Sequence, residues 1–250
     1  MHVSRIGLTP LKGARHGDLP CVDLTLDGPV GDRTFCLVDR SRRRVVRTVE
    51  NPALVTTTAR WHAGVLTATV DGSRLEDVPV ATGEQVEVDY WGRPALLETV
   101  DGPWAAAYSA FLGYDVALAR TARPGEVVYG APVSLVTSSS LDLAGERAGT
   151  VVDAARFRTT FTVDTGDRPP HVEDSWHGRR LLMGEAEVEV RGGIPRCAVV
   201  DLDPVTGQRL RDVLGPLAGY RRRLGEVVFG VDAVVTRPGR VDVGSVVEGD

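Results

Sequence analysis

The most chemically suggestive group in this sequence is a cysteine beside an arginine, reached through the glycine- and proline-controlled run Gly192-Gly193-Ile194-Pro195-Arg196-Cys197. An adjacent guanidinium favours the thiolate, the form that ligates metals and attacks electrophiles. A buried structural cysteine accounts for the same residues equally well. Cys36, inside Thr34-Phe35-Cys36-Leu37-Val38, reads as such a structural cysteine, and Cys21, behind a proline at a strand start, reads as inert. Three cysteines at wide, irregular spacing make neither a disulfide framework nor a CxxC metal site. The five histidines (His2, His16, His62, His171, His177) show no HxH or HExxH spacing, so a histidine-built zinc site and a Ser-His-Asp triad lack support.

Two segments could hold an anion. Arg156-Phe157-Arg158-Thr159-Thr160 places two arginines on one face of an extended run with hydroxyls behind them, which suits a phosphate or carboxylate. Surface ion pairing is the plainer reading. Thr137-Ser138-Ser139-Ser140, at a strand-to-helix junction, offers hydroxyls and helix N-terminal amides, although capping alone needs only one of them. Glu173 and Asp174 are sequence neighbours rather than facing carboxylates and read as a structural turn, as does Asp203-Pro204-Val205-Thr206-Gly207. The runs Arg42-Arg43-Arg44 and Arg221-Arg222-Arg223 read as solvated loop and helix-end charge.

The elements that must position these groups are mostly short strands. His2–Leu8, Cys21–Leu26, Arg33–Asp39, Val45–Thr48, Leu54–Ala59, Gly64–Val70, Gln85–Tyr90 and Ala95–Val100 are β-rich runs bounded by turn residues, a spacing that predicts a barrel or strongly curved sheet. After Asp101-Gly102-Pro103 the texture changes. A helix over Trp104–Leu112 with Gly113 as C-cap is expected, then a strand Val133–Thr137, a Ser-capped helix to about Glu146, and a strand near Phe161–Val163. Strands Glu185–Arg191 and Arg196–Asp201, a helix Leu210–Arg222, and strands Val227–Thr236 and Arg240–Val247 complete the expectation. No Gly-rich phosphate loop opens a helix, which counts against a nucleotide-binding Rossmann domain. The 250 residues carry 29 basic and 34 acidic side chains, a net charge of −5, which disfavours a general nucleic-acid binder. No uncharged stretch approaches the ~20 residues of a membrane span, and no apolar region follows the N-terminal arginine. A cytoplasmic protein with no membrane or nucleic-acid partner is expected.

Taken in order, Arg156-Phe157-Arg158, Glu173-Asp174-Ser175-Trp176, Gly184, Arg196-Cys197, Asp203-Pro204, Thr206-Gly207, Tyr220-Arg221, Phe229-Gly230 and Pro238-Gly239-Arg240-Val241-Asp242-Val243-Gly244 resemble the MOSC domain. That domain is named after the C-terminus of molybdenum cofactor sulfurase. Upstream, Pro10-Leu11-Lys12, Gly31-Asp32-Arg33, Leu37-Val38-Asp39 and Arg47 resemble the β-barrel domain that precedes MOSC in one branch of the family. That branch includes the mitochondrial amidoxime-reducing component and its bacterial relatives.

The resemblance implies a mainly β fold with a few helices (α+β): an N-terminal β-barrel domain over 1–100 packed on a MOSC barrel over 101–250. It implies a molybdopterin-bound molybdenum ligated by Cys197, with Arg196 beside it, reducing N-hydroxylated or N-oxide small molecules. Lys12, Arg33, Arg47 and Arg158 would face the cofactor, joined by the anion candidates Arg156, Thr160, Ser138 and Ser139. Electrons would come from a separate donor protein, since no iron–sulfur cysteine set is present. The only lysine of a chain with 28 arginines, Lys12, stands at the family's lysine position. The chain also departs from the family pattern. Gly13 stands where serine is common, Thr160 where asparagine is, Tyr129-Gly130-Ala131 replaces a polar stretch, and Asp201 replaces a threonine and places a negative charge near an anionic ligand. A second function class therefore stays open, in which Cys197 is a nucleophile or persulfide carrier for metal-independent sulfur transfer or C–S chemistry.

Overall fold

In the computed structural model, which describes residues 1–249, the chain forms two β-rich bodies with a groove between them. The first is a closed barrel of strands Phe35–Asp39, Arg44–Val45, Ala81–Tyr90, Arg93–Asp101 and Val116–Thr121. A smaller sheet containing Thr58–His62 and Val65–Val70 lies outside that closed path. Phe35–Asp39 is buried on both faces, and its side chains alternate as the two-residue period of a strand requires. Phe35 and Leu37 join a core with Leu54, Leu66, Trp104 and Leu118, while Cys36 and Val38 join one with Val88, Tyr90 and Leu97. Burial pushes the Cys36 thiol up to about 12, so it stays protonated and structural. Helix α1, Pro103–Leu112, begins with proline at its first position and ends at Gly113 in the left-handed conformation (φ 78°).

The second body is a large curled sheet. Its order runs Gly17–Leu19, His2–Leu8, Phe161–Asp164, Val133–Thr137, Glu226–Arg237, Ala186–Pro195, Arg180–Met183, Val247–Gly249. The curl brings its ends together, with a bridge between His2 and Val246 and bonds from Val3 N to Ser245 O (2.9 Å) and Val247 N to Met1 O (2.9 Å). Inside lie Val3, Ile6, Phe161, Met183, Val188 and Val231. Outside, helices α2 (Ser138–Ala148) and α3 (Leu214–Tyr220) cover a core of Leu141, Phe157, Val200, Leu217 and Phe229. Phe229 faces this outer core and Val231 the inner one, although they are two residues apart in one strand. Gly230, left-handed at φ 70°, makes that change of face, and a Cβ there would meet Leu135 O at 2.6 Å.

Pairing crosses the division expected at residue 100. His2–Leu8 and Cys21–Thr25 hydrogen-bond with strands of the second body, and Val116–Thr121 closes the first barrel. Hydrophobic contact explains both, since Ile6, Val22 and Leu24 are buried in the second core and Leu118 in the first. Local expectations fail where a turn is buried. Leu54–Ala59 is not one strand but a 3-10 turn, Pro52–Thr56, followed by a strand from Thr58, because Pro52 starts the turn and Leu54 and Val55 are buried in it. The expected helix Leu210–Arg222 shortens to Leu214–Tyr220.

Candidate active site

Past Pro195 the chain leaves the sheet, so the strand expected over Arg196–Asp201 is instead a 3-10 turn, Ala198–Asp201, entered through Cys197. Val200 turns down into the outer core, and the Cys197 side chain is left exposed on the groove. The groove has a volume of about 370 Å³. Lys12, Arg33 and Arg47 reach it from the first body, and Arg156, Arg158, Arg196 and Cys197 from the second.

These cations differ in how far their partners use them. Arg196 is held by bonds from Nε to Phe229 O and from Nη1 to Phe157 O, both 2.8 Å, while Nη2 is buried without a partner. Burial lowers its pKa to about 9; Cys197 and Asp232 act to raise it and Arg33 to lower it. Arg158 adopts a left-handed backbone (φ 53°) and also leaves Nη2 buried and unpartnered. Its pKa falls to about 10, through burial first and then through Arg33. Arg33, also left-handed (φ 47°), donates to Asp32 at 2.7 Å and to Arg158 O at 3.0 Å, bracing one site arginine with another. Lys12 Nζ donates to the Tyr90 hydroxyl (3.1 Å) and Val127 O (3.0 Å). It keeps some surface because it opens on the groove, yet burial and then the charges of Arg33 and Arg158 bring its pKa down to about 7.

Arg47 and Arg156 make further side-chain contacts, although Arg156 Nε is buried without a partner. Arg47 stacks on Trp91 (4.1 Å to the ring centre) and lies near Glu50 (3.4 Å) and Asp89 (3.7 Å). Arg156 donates to Leu202 O at 2.9 Å and pairs with Asp203 at 3.7 Å, tying down the turn after Cys197.

The hydroxyl candidates sit elsewhere. Thr160 is buried and exchanges bonds with Ser134, whose N donates to its Oγ1 (3.2 Å) and whose Oγ accepts from its N (2.9 Å); Ser134, not Thr160, lines the groove. Ser138 and Ser139 begin α2 away from the groove lining. There Thr137 is the N-cap, and the Thr137 and Ser140 hydroxyls donate to Oε2 of buried Glu173, whose Oε1 has no partner. Asp201 does not face the groove either, because its Oδ1 accepts from Val213 N and Leu214 N, both at 2.9 Å, at the start of α3. Asp201→Ala is expected to cost about 1 kcal/mol of stability through the lost cap. Sulfate affinity of the groove, read by calorimetry, should stay within about twofold; a marked gain would place that carboxylate near the anion after all. Gly13 is left-handed (φ 95°), and a Cβ there would lie 3.0 Å from Leu54 and 3.3 Å from the Thr48 hydroxyl, which itself lines the groove.

Sequence reasoning missed Tyr90, Trp91, Ser134 and Asp232 as groove residues. The available signal was Tyr90-Trp91-Gly92-Arg93, a two-residue hairpin turn with an aromatic where Asn-Gly or Asp-Gly is usual.

Among the described residues no three His, Cys, Asp or Glu side chains cluster as a metal cage. A metal at Cys197 would therefore have to arrive with further donors of its own. The residues fit such a ligand in two respects: an exposed thiol as a soft donor, and three groove-lining arginines (Arg156, Arg158 and Arg196) that each keep a buried nitrogen without a partner, as counter-charges for an anion.

The molybdenum cofactor sulfurase of Oryza sativa subsp. japonica is 38% identical over 82 residues, covering 32% of this chain and 10% of that protein. That of Neosartorya fischeri is 31% identical over 116 residues, covering 40% and 14%. The chain thus spans only 10% to 14% of the length of these curated relatives. Among solved structures, the YuaD protein from Bacillus subtilis matches with a TM-score of 0.46 and 11% identity over 99% of this chain and 93% of that one. Residues 1–108 match the MOSC N-terminal beta barrel domain and residues 113–248 the MOSC domain, so the chain belongs to the MOSC family.

Proposed function

We propose that the groove binds the molybdenum cofactor, with Cys197 as the protein's ligand to the metal, and that the protein reduces N-hydroxylated or N-oxide small molecules. The observation that carries this reading is the convergence on one groove of an exposed thiol and the Lys12, Arg33, Arg158 and Arg196 side chains. When bound, the cofactor would supply the redox centre for removing oxygen from an N–O bond: R₃N–O plus two protons and two electrons gives R₃N and water. The electrons would come from a separate donor protein.

The chain's own residues supply position and charge. Arg196, fixed through two carbonyls, holds a positive charge beside the groove and keeps one buried nitrogen without a protein partner. Arg158 adds a second buried charge from the turn after Phe157, and Arg33 holds its backbone carbonyl. Lys12 adds a charge that depends on the ligand. With a pKa near 7 it is largely neutral at slightly basic pH, and a bound anion restores its proton. Sulfate, which does not titrate in this range, should therefore bind more weakly as pH rises from about 7 to about 9, by up to about tenfold per unit. Lys12→Met should bind weakly with no such slope. A flat profile in the parent would contradict the Lys12 assignment.

A second reading, sulfur transfer through a Cys197 persulfide, is favoured by the exposure of that thiol on a cationic groove. The Cys197 thiolate would attack the sulfane sulfur of a donor such as thiosulfate, breaking the donor's S–S bond and releasing sulfite; an acceptor nucleophile would then attack the outer sulfur of the persulfide, breaking its S–S bond and regenerating the Cys197 thiolate. Protein purified from a molybdopterin-making host and assayed with a reduced viologen dye separates the two. N-oxide reduction that is lost in Cys197→Ala supports the first reading. A Cys197 persulfide on a metal-free protein, with no reduction, supports the second.

A further inference from the structure

We infer that Trp91 and Tyr129 form an aromatic entrance to the groove that selects planar, ring-bearing substrates over aliphatic ones, an inference resting on the reductase reading above. Both residues line the groove, and both are strongly exposed, at 48% and 66%. Aromatic side chains gathered in one concave surface are a regular feature of ligand-binding grooves.

Trp91 also sits where the backbone does not favour it. It occupies the first position of the two-residue turn between Ala81–Tyr90 and Arg93–Asp101, with φ 56°, followed by Gly92 at φ 82°. A bulky side chain in the left-handed region is strained, and the turn by itself would be better served by asparagine or glycine. The ring is nevertheless fixed, because the Arg47 guanidinium stacks on it and is itself flanked by Glu50 and Asp89. That stacking leaves the rest of the indole open to the groove.

Tyr129 is brought to the same entrance by explicit ties. Arg93, two residues after Trp91, donates to Glu126 O (2.8 Å) and Val128 O (3.1 Å), while Lys12 donates to Val127 O (3.0 Å). On the far side of Tyr129, Ala131 N donates to Asp232 at 2.8 Å. The segment carrying Tyr129 is thus pinned to the Trp91 hairpin at one end and to the Cys197 body at the other. A flat ring entering between these side chains gains aromatic contact, and the cations behind them favour a negatively polarised oxygen pointing inward.

The test uses metal-loaded protein, with kcat/KM for pyridine N-oxide and for trimethylamine N-oxide. Trp91→Gly keeps the left-handed turn, and Tyr129→Ala removes the second ring. Each is expected to lower the aromatic-to-aliphatic ratio by roughly threefold to tenfold, with molybdenum per chain unchanged. An unchanged ratio overturns the inference. So does a fall in molybdenum content, which would assign the rings to the cofactor. If neither N-oxide is reduced by the parent, the reductase reading fails separately, and equilibrium binding of nicotinate against acetate decides the entrance. A preference for nicotinate that Trp91→Gly removes upholds it; equal binding in parent and variant overturns it.

Discussion

Replacing Asp174 with alanine is expected to destabilise the fold by about 3 kcal/mol, lowering Tm by roughly 6–12 °C in a chain of this size. Asp174 accepts two bonds from Arg221, at 2.7 and 2.9 Å, and one from Arg223 at 2.7 Å. Arg221 is buried, with a third bond from Nε to Val228 O at 2.9 Å. Removing the carboxylate leaves a guanidinium away from water without its counter-charge, next to the His171 ring, which burial and then Arg221 hold neutral with a pKa of about 4. Arg223→Ala removes only the exposed partner and should cost under about 1 kcal/mol. Burial alone would raise the Asp174 pKa, but the bonds and charge of Arg221, with Arg223, hold it below its ordinary value. The stabilisation is therefore present above the usual carboxylate range and is lost as pH falls through the lowered pKa. Thermal melts of both variants check this. Equal small shifts for the two would show that the buried pair contributes no more than a surface one.

Cys197→Ser is the second large effect. Serine keeps the size of the side chain and the Arg196 contacts, but at neutral pH its hydroxyl is protonated and a poor ligand for a soft metal. The expected result is loss of nearly all reductase activity, at least about a hundredfold, with sulfate affinity of the groove kept within about twofold because the cations are untouched. Retained activity in the serine variant would remove Cys197 from the metal. A parallel collapse of sulfate binding would mean that the substitution had disturbed the groove itself.

What was legible in the sequence follows the range of the interactions involved. His2–Leu8 and Val133–Thr137 were read to the residue, and α1 with its Gly113 cap to within one, because alternation, helical spacing and capping are local signals. Arg196–Asp201 was misread because Val199 and Val200 carry the β-branched signature of a strand. What turns the chain there is the burial of Val200 against the outer core and Arg156 donating to Leu202 O, neither of which is local. Arg221 was read as solvated from its arginine run, yet its place is decided by Asp174, 47 residues earlier. Lys12, Arg33, Arg158, Arg196 and Cys197 were named together through family resemblance, and the groove does gather them. Ser138, Ser139 and Thr160 were named on residue type; Ser138 and Ser139 begin α2, whose cap is Thr137, and Thr160 exchanges bonds with Ser134. Trp91 was overlooked because turns are judged by glycine and asparagine, and an aromatic there carries no secondary-structure signal.

The most direct test of the central claim is molybdenum per chain, by elemental mass spectrometry, in protein from a molybdopterin-making host, with Cys197→Ala beside the parent. Close to one molybdenum per parent chain and little in the variant are expected, with both folded. A folded parent without molybdenum, or a variant that holds as much as the parent, would contradict it.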